Sequence, residues 1–116
     1  MTDVAEIQTG PSKHELDELA SHARNASDFL KAISHETRLL ILCMLVDGER
    51  TVSELEAGLG LQQAVVSQQL ARLRLEQLVQ TRREGRQIFY SIAKPEITNV
   101  IGALYNMFCK PQGAEA

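Results

Sequence analysis

A chain of 116 residues, 44% hydrophobic and 23% charged, fits one domain with one modest core and an ordinary globular composition. The N-terminus "MTDVAEIQTG" carries no Lys or Arg and no apolar core segment, which argues against a secretory signal, and the longest apolar run, Leu39 to Val46, is far short of the roughly 20 residues a membrane span takes. The net charge of −3 is unevenly laid out: residues 72–86 carry +3 and residues 1–36 carry −4, so one basic segment sits on an otherwise acidic chain and suits an anionic partner or a solvated strip.

Residues 1–11 read as a disordered tail that ends at Gly10-Pro11. "SKHE" is a capping box, with Ser12 as N-cap and Glu15 three positions on. Leu16, Leu19, Ala20, Ala23, Leu30 and Ile33 follow a helical period, giving a first helix over about 12–33 with a break expected near Asn25–Ser27. A second helix over about 35–47 is apolar on every side, which predicts burial on every side. Asp47-Gly48 ends it. "TVSE" is a second capping box, Thr51 with Glu54, opening a short helix to Leu59. After a turn at Gly60-Leu61, a fourth helix runs from Gln62 to Leu75 with Val66, Leu70 and Leu73 on its core face. The period then changes to two. "LVQTRREGRQIFYSI" predicts a hairpin about Glu84-Gly85, glycine supplying the positive φ. A last helix spans Pro95 to Cys109 with a stripe of Ile97, Val100, Ile101, Leu104 and Phe108, and Pro111 begins a C-terminal tail over 111–116.

The expected fold is mainly α with a small β-hairpin, a winged helix-turn-helix in the order α-α-α-α-β-β-α, folded over residues 12–110. The fourth helix supports a DNA-reading role. Opposite its core face lie Ala64, Val65, Ser67, Gln68 and Arg72, with Gln62, Gln63 and Gln69 near the edges. Glutamine can bond adenine through two hydrogen bonds, serine a base or phosphate, and valine can touch a thymine methyl. Small Ala64 and Ala71 permit close approach. Arg82, Arg83 and Arg86 on the hairpin suit phosphates or the minor groove. Any one glutamine taken singly is better explained by a plain solvated helix; the turn, the helix and the basic wing together favour double-stranded DNA.

The stretch "ISHETRLLILCMLVDGERTVSELEAGLGLQQAVVSQQLARLRLEQLVQTRREGRQIFYSI" resembles the ArsR/SmtB family of winged-helix repressors over residues 28–109. With no signal and no span in view the expected compartment is cytoplasmic, and the resemblance implies a homodimer joined by its first and last helices, with a recognition helix at Gln62–Leu75 and a wing at Val79–Ile92, released from operator DNA by a small inducer. Two positions depart from the family pattern: His35-Glu36 stands where Asp-Pro is common, and Gln77 where a glycine is common. Gln77 must then adopt the left-handed conformation, or the turn must differ.

The positions of the family's metal ligands hold Thr51 and Ser53 on the short helix, and Lys94, Glu96, Met107 and Lys110 on the last, a set that suits no divalent cation. His14, His22 and His35 form no ligand motif, so no metal and no cofactor is expected. The two cysteines, Cys43 and Cys109, remain. Each alone is compatible with plain packing. Their placement, one inside the second helix and one at the end of the last, resembles the persulfide-sensing, BigR/SqrR-like subgroup, and implies that reactive sulfur species join the two thiols and release DNA upstream of sulfide-response genes. A general oxidant sensor and a metal sensor with an unfamiliar site remain alternatives. A thiol oxidoreductase is disfavoured, because there is no Cys-x-x-Cys and no βαβ pattern, and no catalytic residues are assigned. A winged helix used only for protein contacts is separated by DNA-binding assay.

Overall fold

The computed structural model describes residues 10–109, so most of the expected N-terminal tail, Lys110 and the 111–116 tail lie outside the described residues. The elements are α1 (Lys13–Ser21), α2 (Ala23–Ile33), α3 (Glu36–Leu45), β1 (Arg50–Thr51), α4 (Val52–Leu59), α5 (Gln63–Leu75), β2 (Val79–Glu84), β3 (Gln87–Ile92) and α6 (Pro95–Phe108). Between Lys31 and Ala32, within α2, the chain divides into two compact units.

In the first unit the expected capping box is formed: Ser12 Oγ accepts the Glu15 N–H at 3.2 Å and Glu15 Oε1 accepts the Ser12 N–H at 2.8 Å. The break expected near Asn25–Ser27 in the helix over 12–33 falls earlier, at His22. The Ser21 hydroxyl donates to the Glu18 carbonyl at 2.6 Å, and the His22 N–H turns to the Leu19 carbonyl at 2.9 Å. A serine that bonds back to its own helix in this way loosens the ladder.

The second unit is built on α3. His35 caps it, Nδ1 accepting the Thr37 N–H at 3.1 Å, so the imidazole fills the role of the more usual aspartate. Ile41, Leu42 and Leu45 are buried, but Leu40 is 45% and Val46 38% exposed, and Cys43 is half-buried. Burial of α3 on every side is therefore corrected: α4, α5 and α6 pack against it and one stripe stays open. Thr51 and Glu54 form the second capping box, at 3.2 and 2.9 Å. Gly60, at φ 68, closes α4 in the left-handed conformation and starts the turn into α5. Val66, Leu70 and Leu73 are fully buried, as their spacing predicts.

The end of α5 bears out the left-handed expectation for Gln77, whose φ is 64. The Gln77 N–H donates to the Arg74 carbonyl and the Leu78 N–H to the Leu73 carbonyl, both at 2.9 Å, the paired bonds of a Schellman cap. A residue with a Cβ costs roughly 1–2 kcal/mol there, partly offset by the extra freedom a glycine gives the unfolded chain. Gln77→Gly is therefore expected to stabilise the fold by up to about 1 kcal/mol, read as a rise in thermal midpoint of several degrees. An unchanged or lower midpoint would contradict this account.

The hairpin pairs Val79 with Ile92 through Glu84 with Gln87, which puts its two-residue turn at Gly85-Arg86, one position later than expected, with glycine first at φ 64. The two-residue β1 adds a third strand, Arg50 against Tyr90 and Thr51 against Phe89, giving the sheet order β1-β3-β2. In α6, Ile97 and Ile101 are buried and Val100 and Leu104 half-buried, whereas Phe108, expected on the same stripe, is 77% exposed.

Candidate DNA interface and sensing thiols

α4, the Gly60 turn and α5 form the helix-turn-helix, and the burial of Val66, Leu70 and Leu73 fixes which side of α5 faces out. Gln62, Gln63, Ala64, Ser67, Gln68 and Arg72 are exposed, and Val65 is half-buried at the edge. Gln62 is the N-cap residue but makes no side-chain cap bond. The N-terminal turns of α5 thus present polar side chains outward. Arg72, at the other end, is held by Glu76 at 3.3 Å.

Two arginines are placed in ways that spacing could not reveal. Arg38 donates from Nε to the Ala32 carbonyl at 2.6 Å and from Nη1 to Gln69 Oε1 at 3.0 Å, tying the end of α2 to the recognition helix. In the sequence it stands only as the arginine of "TRLLIL"; the signal is one cation at the head of a long apolar run. Arg82 grips Glu49 with two bonds, 3.1 Å from Nε and 2.7 Å from Nη2, and its Nη1 donates to Glu84 at 3.1 Å. Its guanidinium also lies 4.6 Å from the Phe89 ring centroid. These partners raise the Arg82 pKa, Glu49 first, and Arg82 in turn holds the Glu49 carboxyl below its usual range. Arg82 is thus committed within the wing. Arg83 and Arg86 are exposed near its tip, Arg83 making one long bond to the Gly85 carbonyl at 3.4 Å.

Both cysteines are free thiols. Cys43 is half-buried on α3; Cys109 is exposed just past α6, its N–H donating to the Tyr105 carbonyl at 2.7 Å. Burial pushes the Cys43 thiol pKa up, and the charge on Cys109 pushes it further. Cys43 lies on α3 and Cys109 just past α6, two helices that pack against each other. Among the described residues no group of three or more His, Cys, Asp or Glu is arranged to hold a metal ion.

Residues 35–81, from the cap of α3 into β2, match the family described as "Bacterial regulatory protein, arsR family". The biofilm growth-associated repressor of Agrobacterium fabrum is 43% identical over 94 residues, covering 81% of this chain and 80% of that protein. The chain belongs to the arsR family. This arsR-family chain is also 41% identical over 95 residues to the transcriptional activator HlyU of Vibrio cholerae, 82% of this chain and 88% of that one. Its fold matches the crystal structure of the transcriptional repressor BigR from Xylella fastidiosa with a TM-score of 0.74 at 38% identity, covering 87% and 100% of the two chains. It matches reduced HlyU from Vibrio cholerae with a TM-score of 0.75 at 41% identity, covering 80% and 98%. As an arsR-family member the protein is a winged-helix transcriptional regulator of the BigR/HlyU type and not an enzyme. Among the described residues no helix is long and apolar enough to cross a membrane.

Proposed function

We propose that the protein is a cytoplasmic, homodimeric repressor that holds operator DNA while Cys43 and Cys109 are free thiols and lets go when reactive sulfur species join them, controlling sulfide-response genes. The observation that carries this reading is the placement of the two thiols on helices that pack against each other, one half-buried on α3 and the other exposed at the end of α6. Support also comes from the relatives, among them proteins named as repressors and a structure of HlyU in its reduced form.

The chemistry balances without a further oxidant. The exposed Cys109 thiol takes the outer sulfur of an organic persulfide R–S–SH, giving Cys109–S–SH and R–SH. Cys43 then attacks the inner sulfur of that group, forming a disulfide and releasing hydrogen sulfide. Alternatively both thiols become persulfides and condense to a trisulfide with loss of one hydrogen sulfide molecule. A disulfide needs Cα atoms within about 7 Å, and each added sulfur lengthens the reach. Mass spectrometry of the reduced protein after separate exposure to an organic persulfide, peroxide and a metal salt, with a DNA mobility shift on the same samples, tests the reading. Persulfide is expected to crosslink the two cysteines and free the DNA, while peroxide and metal leave it bound. Equal bridging by peroxide would make the protein a general oxidant sensor, and release with bound metal would make it a metal sensor.

The dimer has its own support. Leu16 and Leu19 of α1, and Tyr105, Met107 and Phe108 of α6, stay exposed in the single chain. A twofold dimer that covers them would set two recognition helices about 34–36 Å apart, one turn of DNA. Light scattering at micromolar concentration is expected to give the dimer mass; a monomer mass would refute the assembly.

A further inference from the structure

Between the end of α3 and α6 lies a cavity of about 420 Å³ lined by Cys43, Val46, Asp47, Ile101, Gly102, Tyr105 and Asn106. Its size falls within the range of roughly 300–1,000 Å³ typical of small-molecule sites. We propose that this cavity docks a small organic persulfide whose carbon end carries an ammonium group, and presents its outer sulfur to Cys43. The proposal rests on the sulfur-sensing reading above and names the donor that the site selects.

Three observations point to this occupant. First, the cavity is open at its wall: a Cβ added at Gly102 would meet nothing within 4 Å. Glycine in the middle of α6 weakens the helix relative to alanine, and no neighbour in this chain requires it. Second, the charged group of the lining is the Asp47 carboxylate, which has no ion pair among the described residues. It attracts an ammonium and repels persulfides that carry only carboxylates, while Asn106 and Tyr105 supply neutral polar groups and Val46 and Ile101 apolar surface. Third, Cys43 is the thiol that needs help. It is half-buried on α3, and that burial disfavours the thiolate and leaves less of it for a freely diffusing donor. A donor held in the adjoining cavity offsets this by proximity.

The step is a sulfur transfer. The Cys43 sulfur attacks the outer sulfur of R–S–SH, the bond between the donor's two sulfurs breaks, and the departing R–S⁻ takes the proton that Cys43 gives up. The products are Cys43–S–SH and R–SH. Cys109, exposed, accepts sulfur without such selection, so on the route in which both thiols become persulfides the choice of donor is made at Cys43.

The test measures the rate of Cys43 persulfidation by peptide mass spectrometry in the reduced full chain. The probes are cysteamine persulfide (ammonium), mercaptopropionate persulfide (carboxylate) and inorganic tetrasulfide. The parent is expected to prefer the ammonium donor by about fivefold, the scale of one exposed ion pair. Asp47→Asn is expected to remove that preference. Gly102→Leu, which fills the cavity, is expected to slow both organic donors and spare tetrasulfide. Operator binding in the reduced state shows that each variant is folded. A preference that survives Asp47→Asn, or organic rates untouched by Gly102→Leu, overturns the pocket while tetrasulfide still releases DNA. If tetrasulfide releases no DNA from the parent, the sulfur-sensing reading falls and the pocket with it.

Discussion

Cys43→Ser and Cys109→Ser proteins are each expected to hold operator DNA when reduced about as tightly as the parent, and to go on holding it after persulfide treatment. Neither thiol lies on the outward face of α5 or on the wing, and replacing a residue away from a contact typically shifts energies by no more than about 0.5 kcal/mol, roughly twofold in affinity. In the proposed switch the response needs both sulfurs, because a bridge has two ends. Cys43 sits on α3, which packs directly on α5 and carries Arg38, bonded to Gln69 of the recognition helix. Just past α3, Glu49 grips Arg82 of the wing with two bonds. A bridge that draws α3 toward the end of α6 therefore pulls on both DNA-facing elements, and a dimer on a two-part operator is sensitive to small changes in the spacing of its recognition helices. The pH dependence has a definite sign. Burial raises the Cys43 pKa above the ordinary 9.0, so its thiolate fraction keeps growing at pH values where an ordinary thiol has already levelled off, and so does its rate of alkylation. The same shift means that the contribution of this thiol to stability is full at neutral pH and is lost as pH rises through the folded-state pKa. A Cys43→Ser protein that still lets go of DNA on persulfide treatment would show that the bridge is not the switch.

The features legible in the sequence were those written over a few neighbouring residues. Both capping boxes rest on residues three apart, the buried face of α5 on a 3.6-residue period, and the wing on a change of period with a glycine between the strands. Gln77 was legible only against the family pattern, which commonly has a glycine there, and of the two outcomes that left open the left-handed one is found. What could not be read lies in long-range pairing or in competition between groups. β1 is too short to show an alternation and exists only because β3 offers it a partner. Arg82 looks like any wing arginine until Glu49, 33 positions away, is brought beside it, and the Arg38–Gln69 bond spans 31. The break at His22 depends on one serine hydroxyl winning a carbonyl from the helix ladder. The open stripe of α3 and the exposed Phe108 show the limit of composition, which reports that a side chain avoids water without saying what covers it. The cysteine pair was found through likeness to a subgroup, and the cavity beside Cys43 had no sequence signal beyond a glycine inside a helix.

Replacing Gln63, Ser67 or Gln68 with Ala is expected to lower operator affinity by about 1–3 kcal/mol each while leaving binding to unrelated DNA almost unchanged. Gln63 and Ser67 lie one turn apart, as do Ala64 and Gln68, so the three polar side chains share the exposed face that begins at the N-terminus of α5. The wing is expected to behave differently. Each arginine that neutralises a phosphate adds about 0.9 to the slope of log affinity against log salt, whatever the sequence bound. Arg83→Ala and Arg86→Ala are therefore expected to weaken all DNA alike and to flatten that slope. Arg82→Ala tests the geometry of the wing more sharply. Its guanidinium already neutralises Glu49 and Glu84, so removing it takes away a strut rather than a free charge and leaves those two carboxylates uncompensated beside the DNA. Affinity is then expected to fall through displacement of the wing and added repulsion, and Glu49→Gln, which loosens the grip on Arg82 and removes a negative charge, is expected to raise affinity for any DNA and steepen the salt dependence. Salt titrations of operator and random duplex with each variant check these outcomes together. Operator affinity untouched by the α5 substitutions would mean that this face does not read bases, and a Glu49→Gln protein that binds random DNA no better than the parent would mean that Arg82 has no role at the phosphates even when freed.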